Sequence, residues 1–411
     1  MIRIISEEEA PTVLGRSVDH VGEAMGISAP IVADVRLRGD EALKEYRQRF
    51  DLVARDEPLY LDAGGELEAD LQQAVGQASR NIRSFAEAQL VTSWMSEFSD
   101  GRSLGQLVRP LNSVGVYVPA GRYPLISTLL MAVIPAQVAG VQNIVVACPH
   151  PSREILAVAK MLGVKQILHA GGAQAIAAMA YGTESVKPVQ RIVGPGNAYV
   201  AAAKKLVSQD VAIDFVAGPS EILIVASQGN AQWIAADMLA QAEHDVDARA
   251  ILLTTDKEFA LRVQAEIEIQ LSSLSTVQIA QRAIIDNSAI VVCDTTDSAF
   301  NLVNTIAPEH LSVEQKSDIE RVNSAGSIFV GQYSTEAAGD YASGPNHILP
   351  TSGNAAVRGG LSVNDFVKVI TVQELSKTAL RELEPAVTAL ARAEGLEAHA
   401  RSVETRNDAT A

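Results

Sequence analysis

Cysteine is scarce in this chain: 411 residues hold two, Cys148 and Cys293. Each ends an apolar, β-like run, Asn-Ile-Val-Val-Ala-Cys and Ala-Ile-Val-Val-Cys, where a thiol serves as a small buried hydrophobe. A disulfide-stapled module is excluded, and so is a compact Cys-x-x-Cys site. Aromatic residues are sparse at 4%, and 33 Lys+Arg against 49 Asp+Glu leave a formal charge of −16. The chain therefore has neither a basic footprint nor a stacking platform, and nucleic acid is not an expected partner. No Walker A lysine loop, Gly-x-Gly-x-x-Gly fingerprint or His-Glu-x-x-His helix occurs. Long hydrophobic runs are missing too. The stretch between Arg122 and Arg153 has no Asp, Glu, Lys or Arg, but Pro124, Pro135, Gln137, Gly140, Gln142 and Asn143 punctuate it. It reads as helix, turn and buried strand rather than a membrane span. The N-terminus lacks the basic and apolar regions of a signal peptide, and the expected location is the cytoplasm.

What is present is the composition of a folded chain, with 47% hydrophobic and 20% charged residues and with 28 Gly and 16 Pro dispersed along it. At roughly 150 residues per domain, the length allows two or three domains and at least one large core. Residues 20 to 95 carry helical periodicity, with a long second segment over 66–94. From Val114 short apolar runs at 114–118, 143–148, 166–169 and 191–193 alternate with helix-length segments. The alternation restarts after Gly218-Pro219, with runs at 221–226, 250–253, 289–293 and 326–331. Strands alternating with helices imply βαβ units, so the expected class is α/β with two parallel sheets. Helix returns from Ser376 to about Arg401, after the strand-like run Phe366–Val372, and such a terminal helix suits a dimerisation arm.

Several constellations could carry chemistry. Gly171-Gly172-Ala-Gln174 and Gly194-Pro195-Gly196-Asn197 each lie between a short strand and a helix, where backbone N–H groups can meet a phosphate. On spacing alone, a tight structural turn accounts for either. Among seven histidines, His20, His150 and His169 read as surface or turn residues. Gln241 and His244 stand at i, i+3 at a helix end, where both can reach one ion, although an ordinary helix C-terminus fits the same tetrapeptide. Pro308-Glu309-His310 pairs a carboxyl with an imidazole, as acid/base work requires, yet in isolation it reads as an exposed loop. The segment from Gly339 to His347, with Asp340 inside it, is a polar loop rich in functional groups. Glu394-Gly-Leu-Glu397-Ala-His399 adds another acid and imidazole where a solvated helical face is the plainer reading. Any metal must be held by residues far apart in sequence.

Taken together, these blocks resemble the histidinol dehydrogenase family. The resemblance runs from Gly115 to His399 in eight blocks: Gly-Val-Tyr-Val-Pro-Ala-Gly at 115–121, Gly-Gly-Ala-Gln-Ala-Ile-Ala at 171–177, Gly-Pro-Gly-Asn at 194–197, Ala-Gly-Pro-Ser-Glu at 217–221, Gln-Ala-Glu-His at 241–244, Pro-Glu-His-Leu at 308–311, Ala-Gly-Asp-Tyr-Ala-Ser-Gly-Pro-Asn-His at 338–347 and Glu-Gly-Leu-Glu-Ala-His at 394–399. It implies two incomplete Rossmann-like domains with parallel sheets, plus small N- and C-terminal helical extensions. The expected parse is an extension over 1–20, a first domain from 21–110 and 219–361 on the zinc and substrate side, a second over 111–218 on the NAD side, and an arm over 362–411. The resemblance further implies one Zn²⁺ per subunit on Gln241, His244, Asp340 and His399. Glu309 and His310 would be the acid/base pair. Substrate would touch Ser220, His347 and Glu394, besides the zinc ligands and Glu309. Tyr117, Gln174 and Asn197 match NAD⁺-contacting positions. A homodimer with exchanged C-terminal arms is implied. Two positions depart from the family pattern: Ala120 replaces a common Gly, and Asp245-Val246 follows His244 where Gly-Pro is usual.

The implied activity is oxidation of L-histidinol through L-histidinal to L-histidine, consuming two NAD⁺ in the last steps of histidine biosynthesis. The alternative on the same scaffold is oxidation of another small primary alcohol, such as a sulfonated diol, to the acid. A catalytically silent dimeric paralogue is the rival from another class, and the full set of functional groups argues against it.

Overall fold

The computed structural model describes residues 1–15, 20–120 and 124–408. The chain divides into two compact units, residues 1–89 with 111–366 and residues 90–110 with 367–411.

The first unit is α/β and holds two six-stranded sheets. One contains β1 (Arg3–Ser6), β10 (Glu221–Val225), β11 (Arg249–Thr254), β12 (Ala289–Val292), β13 (His310–Val313) and β14 (Ser327–Val330), in the order β1-β12-β11-β10-β13-β14 and parallel throughout. Both faces are covered, which is why β10 reads Glu-Ile-Leu-Ile-Val without a polar alternation. Ile222 and Ile224 pack with Met238, Phe259 and Val263 of one helical layer, whereas Leu223 and Val225 pack with Phe300 and Val303 of the other.

The other sheet contains β2 (Tyr60–Asp62), β5 (Ser113–Tyr117), β6 (Asn143–Ala147), β7 (Gln166–Leu168), β8 (Arg191–Val193) and β9 (Ala212–Ile213), in the order β2-β7-β6-β5-β8-β9. All its pairs are parallel except β2 with β7. The charge-free stretch forms the buried helix Ile126–Ala139, a left-handed turn at Gly140 and strand β6. No helix among the described residues is long and apolar enough to cross a membrane.

The element pairing departs from the expected grouping in two places. Helices His20–Arg38 and Asp40–Phe50 pack on helices Gly172–Tyr181 and Ala198–Val207, and β2 joins β7, so this segment goes with the 113–213 sheet rather than with 219–361. Conversely, β1 is an edge strand of the other sheet instead of part of a separate extension. The long helical segment expected over 66–94 is helix Ala69–Ala88, and Trp94 already opens a strand.

The second unit is an antiparallel sheet of β3 (Trp94–Glu97), β4 (Arg102–Pro110) and β15 (Val367–Leu375), followed by helices Lys377–Ala393 and Glu397–Asp408. Gly395, at φ +77°, makes the turn between the two helices.

Candidate active site

Glu309 and His310, the expected acid/base pair, are set by a helix end and a strand start. Helix Thr296–Ile306 stops at Ala307, which takes a left-handed φ of 51°, and Pro308 then leads directly into β13. Glu309 and His310 are consequently buried, 5% and 3% exposed, and the exposed-loop expectation is corrected. The cause is the neighbouring strand, since β13 pairs with β10 and Ile222 stands opposite His310. The backbone of Glu221 holds both side chains: its N–H donates to Glu309 Oε2 at 2.8 Å, and its carbonyl lies 3.1 Å from His310 Nδ1. A carbonyl only accepts, so the imidazole proton sits on Nδ1 and Nε2 is left as the basic nitrogen.

Three carboxylates surround this imidazole. Glu309 Oε2 and Glu336 Oε1 each lie 3.7 Å from Nδ1, and Asp340 Oδ1 lies 3.5 Å from Nε2. Burial works to lower the His310 pKa, but the charges of Glu336, Glu309 and Asp340 outweigh it and carry the group up to about 10. Burial pushes Glu309 and Glu336 up to about 8 each, against the pull of His310.

Beside this pair lies a cluster suited to a cation. Helix Ala231–Ala242 ends with buried Gln241, and His244 follows with Nδ1 3.3 Å from Gln241 Nε2 and Nε2 3.9 Å from Asp340 Oδ2. Ligand atoms of His244, Glu336 and Asp340 lie within 4.8 Å of one another. Gln241 Oε1, His310 Nε2 and both Glu336 oxygens are buried without a hydrogen-bond partner. Such atoms cost about 1–3 kcal/mol each when unsatisfied, and a divalent ion with N/O ligands would engage the Gln241 amide oxygen together with His244 and Asp340. The negative end of the helix dipole points the same way. The turn after His244 is closed locally despite its unusual sequence, because Asp245 Oδ1 accepts from Asp247 N–H at 3.1 Å.

Glu336 was not singled out by sequence reasoning. Its available signal was Thr335, which caps the short helix Glu336–Tyr341, followed by carboxylates at i, i+4 in Glu336 and Asp340. His347 Nδ1 lies 2.7 Å from the Asp340 carbonyl, and Ser220 and His347 both line the cleft.

That cleft, about 1470 Å³, runs between the two sheets of the first unit and exceeds the roughly 300–1,000 Å³ of an ordinary small-molecule pocket. It has room for a dinucleotide as well as a small substrate. The first sheet meets it with the amino ends of β10 and β13, next to a helix C-terminus. The second sheet offers its carboxyl end, with Asn197 and the N-terminus of helix Ala198–Val207. Asn197 Oδ1 caps that helix at 3.1 Å from Val200 N. The loop before it is pinned by a buried ion pair: Gly194 N–H donates to Asp214 Oδ2 at 2.8 Å, and Lys204 Nζ donates to Gly194 O at 3.0 Å. At φ +114° only glycine suits position 194, where a Cβ would also strike the Tyr117 carbonyl.

Tyr117 and Gln174 are placed differently from Asn197. Both are buried and absent from the cleft lining, with Tyr117 Oη accepting from Gly172 N–H at 3.2 Å and Gln174 Nε2 donating to Asp51 at 3.2 Å. Ala120 forms a bridge with Pro124 and is not among the described residues with positive φ, so its side chain is tolerated. Gly121, the last residue of the first block, lies outside the described residues. Glu394 and His399 belong to the second unit, both exposed, at the turn between its helices and at the start of the second helix.

Comparison with known proteins agrees over nearly the whole chain. The family model described as histidinol dehydrogenase matches residues 15–407. The histidinol dehydrogenases of Halalkalibacterium halodurans and Geobacillus kaustophilus are each 48% identical over 391 residues, covering 92% of this chain and of theirs. The crystal structure of histidinol dehydrogenase from Elizabethkingia anophelis superposes with a TM-score of 0.94 at 36% identity, covering 98% of each chain.

Proposed function

The chain belongs to the histidinol dehydrogenase family, and from that premise we propose that it oxidises L-histidinol through L-histidinal to L-histidine, reducing two NAD⁺. The observation that carries the chemistry is His310, whose Nδ1 is committed to the Glu221 carbonyl, with buried Glu309 on that side, and whose Nε2 is left without a hydrogen-bond partner.

In the first half-reaction His310 Nε2 takes the hydroxyl proton of the alcohol as a hydride leaves the carbinol carbon for NAD⁺, giving the aldehyde. Glu309 then removes a proton from water as the water oxygen adds to the aldehyde carbon, and His310 returns its proton to the former carbonyl oxygen, so that a gem-diol forms and Nε2 is free again. His310 takes a proton from that diol while the second hydride leaves, and the acid is the product. Glu336, 3.7 Å from Nδ1, balances the imidazolium formed each time.

Gln241, His244 and Asp340 would hold Zn²⁺, and His399 of the partner subunit would supply a further ligand. The orphaned Gln241 oxygen and the clustered His244 and Asp340 atoms fit that ion. Bound there, the ion would fix the nitrogens of the substrate and offset the charge of Asp340, one of the three carboxylates that raise the His310 pKa. Ser220, His347 and Glu394 would complete the substrate contacts, and Tyr117, Gln174 and Asn197 would serve NAD⁺. A homodimer with exchanged arms is supported by apolar residues that the second unit leaves exposed, among them Trp94, Met95, Val369, Ile370, Leu390 and Leu396. We place the enzyme in the cytoplasm, where reduced, buried Cys148 and Cys293 are at home.

The test is side-by-side turnover of L-histidinol and other small primary alcohols with NAD⁺. A site built to ligate an imidazole and an amine should favour histidinol over a sulfonated diol by about 10⁴-fold in kcat/KM. Equal or better use of the diol would overturn the assignment.

A further inference from the structure

Lys204 takes no part in the chemistry above, yet it is buried, 2% exposed, among the alanines and valines of helix Ala198–Val207. Burying an ammonium is costly, and what offsets the cost here is an ion pair with the equally buried carboxylate of Asp214. A well-packed apolar pair in the same space would often be as stable, so stability alone does not account for two charges. Their remaining bonds do. Asp214 Oδ2 accepts from Gly194 N–H at 2.8 Å and Oδ1 from Phe215 N–H at 2.6 Å, while Lys204 Nζ donates to the Gly194 carbonyl at 3.0 Å. Gly194, at φ +114°, is thereby gripped at both its N–H and its carbonyl.

The direction set at Gly194 is passed on. Pro195 follows it with a ring-locked φ, so the chain has little freedom before Gly196 and Asn197. Gly194 is buried, but Pro195, Gly196, Asn197 and Ala198 all line the cleft, and Asn197 is exposed. Asn197 spends its Oδ1 on Val200 N–H. Its Nδ2, and the N–H groups of Gly196, Asn197 and Ala198, meet no acceptor among the described residues. Four donors thus stand on the cleft wall directly after the gripped residue. The same carboxylate also fixes Phe215, whose ring lies under the Arg358 guanidinium at 4.9 Å and lines the cleft beside this loop.

We propose that Lys204 and Asp214 are positioning residues for the cofactor: by holding Gly194 on both sides they keep the 196–197 turn open to the cleft, with its donors set for the hydroxyl and phosphate oxygens of NAD⁺. The inference rests on the reading that Asn197 meets NAD⁺.

The test is steady-state kinetics on the full-length, zinc-loaded enzyme, with NAD⁺ and histidinol varied in turn. Lys204→Met keeps the bulk of the side chain and removes the donor to the Gly194 carbonyl. It should raise KM for NAD⁺ about tenfold or more, the scale of one hydrogen bond to a charged group. KM for histidinol should stay within about twofold and kcat at saturating NAD⁺ within about threefold, because Glu309 and His310 stand on the other sheet. If Lys204→Met strands the Asp214 carboxylate and does not fold, Lys204→Met/Asp214→Asn decides, since it leaves no unpaired buried charge. The Gly194 carbonyl still lacks its lysine donor there, so the same rise in KM for NAD⁺ is expected. A folded variant of either kind with unchanged KM for NAD⁺, or with an equal rise in both KM values, overturns the proposal. Asn197→Ser separates the two layers of the argument, because serine still caps the helix but has no carboxamide. Normal NAD⁺ use by that variant defeats the placement of NAD⁺ at Asn197 itself, whereas a raised KM there beside a normal Lys204→Met enzyme defeats the role of the buried pair alone.

Discussion

Replacing Glu309 by Gln separates the two half-reactions. In the native chain Glu309 Oε2 accepts from Glu221 N–H at 2.8 Å, and a glutamine carbonyl oxygen can accept the same bond, so β13 and His310 should keep their places. What the amide cannot do is take a proton from water. General-base loss is worth about 10²–10⁴ in rate, or about 2.7–5.4 kcal/mol of barrier, and that penalty falls on the step in which water adds to the aldehyde. The first oxidation needs no water. It loses only one of three carboxylates near the His310 imidazolium and should slow by no more than about tenfold. The assay is single-turnover NADH formation started from L-histidinol and, separately, from L-histidinal. Selective loss of histidinal oxidation, by about 10²-fold or more, is the expected result. Equal losses from both starting points would refute the division of labour between Glu309 and His310.

Two further outcomes test the ion and the arm. A chelator should abolish turnover and Zn²⁺ should restore it, and His244→Ala should lower bound zinc by elemental analysis together with activity; full zinc occupancy in that variant would remove His244 from the ligand set. For the arm, His310→Ala and His399→Ala chains refolded together should regain about a quarter of wild-type activity, because half the dimers are mixed and each mixed dimer has one complete site of two. Activity that stays at the parents' level in a sample shown to contain mixed dimers would place each arm on its own body.

The α/β alternation from Val114 onward was readable because each buried parallel strand is a short apolar run between helix-length segments. Gln241 with His244, and Glu309 with His310, were visible as pairs because both partners lie close in sequence. What adjoins those pairs was not visible. The burial of His310 comes from β10, some ninety residues earlier in the chain, and the three-residue strand β2 carries too few side chains to declare its partner. Glu336 reads as an ordinary first-turn acid until the helix end and Asp340 turn it toward His310.

The most direct measurement counts NADH against substrate. With limiting L-histidinol and excess NAD⁺, the account requires about two NADH for each histidinol consumed, histidine as the product and no free histidinal accumulating, because His310 and the water-activating carboxylate of Glu309 share a single site. One NADH per histidinol, with histidinal released as the end product, would contradict it.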